Sequence, residues 1–183
     1  MARAPRVSQT GPSLFDPVGE EREPCGAEKP GDVGELSDGV ADSSAPARLI
    51  VRADGGSRGN PGQAAYGALV YDAASGDVLN REGRHIGVAS NNVAEYSGLI
   101  AGLEMARAIN PSAAVDVRLD SKLVIEQMAG RWKIKHPDMK PLAARARELV
   151  PPRVTWTWVP RSENSAADAL VNKALDGDPL PRK

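Results

Sequence analysis

The chain has 183 residues and no run approaching the roughly 20 apolar residues that span a bilayer, so no membrane association is expected. Its start, MARAPRVSQTGPS, carries basic residues with no apolar stretch behind them, which argues against a secretory signal, and the single cysteine, Cys25, excludes an internal disulfide and fits a reducing cytoplasm. The net charge of −1 hides an asymmetry: residues 1–46 hold 4 Lys+Arg against 9 Asp+Glu, whereas residues 47–183 hold 19 against 15, a basic balance that suits a polyanionic substrate.

Residues 1–46 are rich in Pro, Gly, Ser and acids and lack either periodicity, so a disordered tail is expected there. From Arg48 the pattern changes. Leu49-Ile50-Val51 opens a strand expected to end at Asp54, stopped by Gly55-Gly56 and followed by the turn residues 57–62. Residues 64–72 and about 78–86 read as two more strands joined by the turn 74–77, which completes an antiparallel meander. Asn91 to Ile109 carries an apolar stripe at Tyr96, Leu99, Ile100 and Leu103 and reads as a helix capped by Asn91 or Asn92. Val115, Val117 and Leu119 alternate with polar residues as a fourth strand, and Ser121 caps a short helix closed by Gly130. After the basic loop RWKIKH, Pro137 is expected to begin a helix that reaches about Val150. Residues 154–159 form a fifth strand, and Asn164 or Ser165 caps a last helix to about Leu175, ahead of a frayed tail from 177. The order β-β-β-α-β-α-α-β-α predicts an α/β domain over 47–176, with a five-stranded mixed sheet flanked by helices.

Four acids fall near element ends. Asp54 and Asp120 close the first and fourth strands, and Glu95 and Asp168 fall in first helical turns. If the two strands are parallel neighbours, their acids emerge together at the sheet edge where α/β sites collect. Carboxylates that close repel one another unless a cation neutralises them. Oxygen ligands select Mg²⁺ or Mn²⁺, and there is no Cys/His cluster for zinc. Two ions roughly 3.5–4 Å apart would activate water and stabilise a leaving oxygen in phosphoryl chemistry. Taken singly, each acid also has a structural reading, as a turn former or a complement to a helix dipole.

Four segments, ADGGSRGNPG at 53–62, SNNVAEYSGLIAGLE at 90–104, LDSKLVIEQMAGRWKIKHP at 119–137 and WVPRSENSAADAL at 158–170, resemble type I ribonuclease H. The likeness runs from about Arg48 to Leu175 and is nearest the prokaryotic branch that is fused to a phosphatase-like domain in some actinobacteria. The resemblance implies a ribonuclease H-like fold and hydrolysis of the RNA strand of an RNA–DNA hybrid, leaving 5′-phosphate and 3′-hydroxyl ends. It implies two Mg²⁺ ions, with Mn²⁺ possible, held by Asp54, Glu95, Asp120 and Asp168, which match the family's metal-binding acids. It also implies substrate contacts by Gly55, Gly56, Ser57 and Asn60 in the Gly-rich turn. Ser90, Asn91 and Asn92 would read the shallow minor groove, where an A-form-like duplex shows its 2′-hydroxyls.

This chain departs from many relatives in two places. The loop PRSENS lacks the expected histidine, and Arg161 stands near its position. An arginine cannot shuttle protons at neutral pH but can steady a phosphate. Glu163 could assist there, and neither His85 nor His136 is expected to be catalytic. The long basic protrusion is reduced to RWKIKHP, where Lys133 and Lys135 with Trp132 are candidates to grip the DNA strand. The expected protein is a cytoplasmic monomer with no obligate protein partner. A junction resolvase-like nuclease of the same fold and a non-catalytic hybrid-binding module are the alternatives.

Overall fold

The computed structural model describes residues 45–177. The acidic tail expected over 1–46 lies outside the described residues except for its last two positions, as does the C-terminal tail beyond Gly177. Ten elements follow in order: β1 (Arg48–Gly59), β2 (Gly62–Asp72), β3 (Val78–Ala89), α1 (Asn91–Ile109), β4 (Ala114–Leu119), α2 (Lys122–Met128), α3 (Met139–Leu149), β5 (Val154–Trp158), a 3-10 turn (Arg161–Glu163) and α4 (Ser165–Leu175).

The sheet runs β3-β2-β1-β4-β5. Pairing is antiparallel from β3 to β1 and parallel from β1 to β5. This is the five-stranded mixed sheet that the element order predicts. Alternation along β1 places Leu49, Val51 and Ala53 in the core, packed with Leu99 and Leu103 of α1 and Ala143 and Ala146 of α3. α4 covers the other face, where Val171 and Ala174 meet Ala65, and Ala167 and Leu170 meet Leu69. Ala64 to Val70 of β2 are therefore buried without interruption, because helices cover both sides of that strand. No helix among the described residues is long and apolar enough to cross a membrane.

Several boundaries differ from expectation. β1 does not stop at Asp54. Gly55 and Gly56 stay extended and pair with Tyr66 and Ala65, and the chain reverses only at Asn60-Pro61, which is a cis peptide bond. The two glycines serve close packing rather than a turn. A Cβ on Gly55 would lie 2.1 Å from the backbone nitrogen of Glu95, and one on Gly56 would lie 2.9 Å from Val171 Cγ1. β3 runs on to Ala89. α1 is capped by Ser90, whose Oγ accepts from the Val93 N–H, and not by Asn91 or Asn92. α3 starts at Met139 because His136 and Pro137 accept from the Met139 and Lys140 N–H groups and so form a turn ahead of the helix. Asn164 occupies the cap position of α4, but its side chain makes no cap bond.

Candidate active site

The parallel ladder between β1 and β4 ends at the pair Ala53 and Leu119. Asp54 and Asp120 are the next residue on each chain, so both carboxylates leave the sheet at the same edge. Glu95 is the fifth residue of α1, just past the first turn in which it is expected, and Asp168 is the fourth residue of α4. The missing side chain at Gly55 lets the α1 backbone seat Glu95 against β1 beside Asp54. All four acids line one cleft of about 320 Å³.

The electrostatics of this cleft are those of crowded like charges. Burial pushes the Asp54 carboxyl up to about 7, with Asp120, Asp168 and Glu95 adding to the rise and the Gly55 N–H, which donates to Asp54 Oδ1 at 2.8 Å, opposing it. Burial also raises Glu95, with the charge of Asp120 acting in the same direction. The side chains of Ser121 and Asn91 partly offset this. Asn91 Nδ2 donates to Glu95 Oε1 at 2.9 Å, and Glu95 Oε2 is buried. An all-oxygen donor set of four crowded carboxylates fits a hard divalent cation. Among the described residues no three acids are gathered into a ready-made cage for one ion. One reason is visible at Asp168, where Arg161 donates to Oδ1 and Asn172 Nδ2 donates to Oδ2 at 3.0 Å.

The other expected residues divide among three places. Gly55, Gly56, Ser57, Asn91 and Arg161 line the same cleft as the acids. Asn60, Ser90 and Asn92 line a neighbouring groove with His136. Asn60 Oδ1 accepts from the Asn91 N–H at 3.2 Å, and Ser57 Oγ donates to Ala89 O at 2.9 Å, so the hairpin tip is tied to the start of α1. Lys133 lies in a third notch, with Trp132, Ile134, Lys140 and Arg147. Lys135 is exposed and lines none of these. Glu163 is exposed and outside the cleft, its carbonyl accepting from Arg52. His85 Nδ1 accepts from the Gly87 N–H, away from the acids.

The sequence reading missed Arg58, Ser121 and Asn172 at the cleft, and it placed Asn164 at the N-cap of α4, where it stands, without the bond from its side chain to Asp120. Asn172 sits four residues after Asp168 on one helix, a spacing that could have flagged it. Arg58 lines the cleft and pairs with Asp176.

Comparison with known proteins identifies the family. Residues 52–174 match the family model described as reverse transcriptase-like. The bifunctional protein Rv2228c of Mycobacterium tuberculosis is 51% identical over 131 residues, which is 70% of this chain but only 36% of that protein. The chain thus spans about a third of the length of this curated relative. The crystal structure of RNase H1 from the halophilic archaeon Halobacterium salinarum is 42% identical, with a TM-score of 0.67 over 71% of this chain and 98% of that one. The structure of LC11-RNase H1 in complex with an RNA/DNA hybrid, from compost, is 37% identical, with a TM-score of 0.67 over 70% of this chain and 97% of that one. A mixed sheet in this strand order, and likeness to the two RNase H1 structures along 98% and 97% of their chains, place this chain in the type 1 ribonuclease H family.

Proposed function

We propose that this chain is an endonuclease that hydrolyses the RNA strand of RNA–DNA hybrids, depends on divalent metal, and leaves 5′-phosphate and 3′-hydroxyl ends. The observation that carries the reading is the convergence of Asp54, Glu95, Asp120 and Asp168 on one cleft, where burial, reinforced by the neighbouring acids, pushes the Asp54 carboxyl up to about 7. Mutual repulsion of that kind is relieved by a bound cation. Family membership implies a divalent metal, and the oxygen donors favour Mg²⁺, with Mn²⁺ as a substitute. When bound, a pair of such ions supplies the positive charge that activates water and stabilises the leaving oxygen of the phosphodiester.

The chain's own residues do the rest. The four acids hold and orient the metal. Asn91 keeps the Glu95 carboxylate turned toward the cleft by holding Oε1. Arg161, on the cleft rim, is placed to move from Asp168 to a substrate phosphate, but it cannot carry a proton. The groove lined by Asn60, Ser90 and Asn92 takes the edge of the duplex where 2′-hydroxyls are exposed. Lys133 and Trp132 contact the DNA strand, with Lys135 beside them. The hybrid bound to the LC11 relative supports this choice of substrate. The reading takes the protein to be a cytoplasmic monomer, which its lone cysteine suits.

The test is a hybrid labelled on each strand and incubated with Mg²⁺, Mn²⁺ or EDTA. Cleavage confined to the RNA strand and abolished by EDTA is expected. Cleavage of a four-way junction with the hybrid left intact would overturn the reading.

A further inference from the structure

Asn164 is fully buried, yet it lies among the three acids that do not come from α1. Its Nδ2 donates to Asp120 Oδ1 at 2.7 Å and to Ala53 O, on the residue before Asp54, at 2.9 Å. Its own carbonyl accepts from the Ala167 and Asp168 N–H groups at 3.0 and 3.2 Å. One side chain and one peptide unit therefore connect β1 beside Asp54, the Asp120 carboxylate and the α4 turn that carries Asp168. The orientation of the amide is set by chemistry. Both atoms facing Nδ2 are acceptors, so the flipped amide would put Oδ1 against two oxygens. Asn164 Oδ1 has no partner in the interior. A buried unpaired acceptor is a cost that folds avoid, and it is tolerated here because the donor end is needed.

We propose that Asn164 is a positioning residue that sets the spacing of the acidic cluster and orients the Asp120 carboxylate. Its Nδ2 holds Asp120 Oδ1 and so fixes the rotation of that carboxylate at the cleft, where it would help to hold a metal. An ordinary helix cap would direct its side chain to the N–H groups of its own helix. Asn164 directs its side chain to another strand and another ligand. Because it is buried, it makes no substrate contact, so its influence belongs in metal binding and turnover and not in hybrid affinity.

The inference rests on the metal-dependent nuclease reading, and the experiment separates the two. Asn164→Asp keeps the shape but replaces the donor with a further carboxylate facing Asp120 and Ala53 O. Asn164→Ser keeps a single, shorter donor. Mg²⁺ and Mn²⁺ binding to the full chain is measured by calorimetry without substrate, alongside thermal melts and hybrid-cleavage kinetics. The kcat is expected to fall by at least about tenfold in N164D, where a repelling carboxylate displaces Asp120. In N164S, which adds no charge, metal affinity and kcat are expected to fall by up to about tenfold, with KM within about twofold of the parent in both, as for residues that orient metal ligands. If N164D does not fold, N164S decides alone. Lowered melting temperatures with unchanged metal affinity and kcat would reduce Asn164 to a packing role and overturn the inference. If the parent chain binds metal in an Asn164-dependent way but leaves hybrids uncut, the positioning role stands and the substrate reading falls.

Discussion

The backbone nitrogen of Glu95 occupies the space that a side chain on residue 55 would need: a Cβ on Gly55 would stand 2.1 Å from it. The seating of Glu95 beside Asp54 thus depends on the absence of one methyl group. Gly55→Ala forces either β1 or α1 to move. The obstruction is backbone and cannot rotate away, so destabilisation of about 3 kcal/mol is expected, the upper end of ordinary overpacking. If the cleft acids carry the proposed activity, displacing Glu95 by about an ångström is expected to cut hybrid cleavage by roughly 100-fold. A thermal melt and a cleavage assay together check this, and a variant with parental stability and rate would contradict the packing described here.

The crowded acids make metal-free stability depend on pH. Asp54 releases its proton near 7 in the folded protein, against an ordinary value of 3.8. Between those values the folded state holds a proton that the unfolded chain has already lost, so stability falls as pH rises through the window and levels off above it. Glu95 is raised as well and acts in the same sense. After discounting for its partial exposure, Asp54 is expected to contribute about 2 kcal/mol to that fall. Melting temperatures in EDTA should therefore be higher at pH 5 than at pH 8, and added Mg²⁺ should raise them more at pH 8 than at pH 5. A metal-free protein that gains stability across this range would refute the assignment.

Asp54→Asn separates function from stability. It removes one of the repelling charges while keeping the shape. Hybrid cleavage is expected to disappear and hybrid binding to stay largely intact, since the groove and the basic notch are unchanged. In EDTA at pH 8 the variant should melt at a higher temperature than its parent. Electrophoretic mobility shift and calorimetry check the two halves, and full activity in the variant would remove Asp54 from the site.

Arg161 holds Asp168 while itself being largely exposed. In Arg161→Ala the acid is released from its ion pair, so less Mg²⁺ should be needed for half-maximal rate. Turnover should slow by about tenfold or less, since under the proposed role the rim loses a cation that would steady a phosphate while the acids remain. A metal titration of the cleavage rate reports both effects, and identical curves for variant and parent would return Arg161 to an ordinary surface role.

The notch formed by Trp132, Lys133, Lys140 and Arg147 predicts a salt-dependent grip. Lys133→Ala and Lys140→Ala should each weaken hybrid binding and lower the slope of log affinity against log salt by about 1 for every phosphate left without its lysine. Trp132→Ala should weaken binding with little change in that slope, because stacking releases no counterions. Binding measured from low to moderate salt distinguishes them, and a parental slope in both lysine variants would place the DNA strand elsewhere.

Element order and strand polarity were legible because alternation and helical stripes are local signals. Tyr96, Leu99 and Leu103 mark a helix face whatever lies across from it. The four acids were legible through the wording around them. What stayed hidden depended on partners far along the chain. Gly55-Gly56 looks like a strand stop, and only the arrival of α1 some 40 residues later shows that the glycines serve a close approach. Asn164 looks like a cap, since an Asn before a helix usually is one. Its true partners, Asp120 and Ala53, lie 44 and 111 residues away. Ser90 was the reverse case: a residue read as groove-facing also supplies the cap.

The clasp between Arg58 and Asp176 gives the two ends of the domain unequal status. β1 enters at Arg48, at the far end of the ladder from Asp54, about 20 Å along the strand. A tag, surface tether or fused module joined ahead of residue 45 therefore enters at the rear of the molecule. The end of α4 is held against the cleft wall, where Arg58 also bonds the Leu175 carbonyl. The end of α4 thus borders the cleft and the start of β1 does not, so of the two ends of the described domain residue 45 is the attachment point farther from the acids.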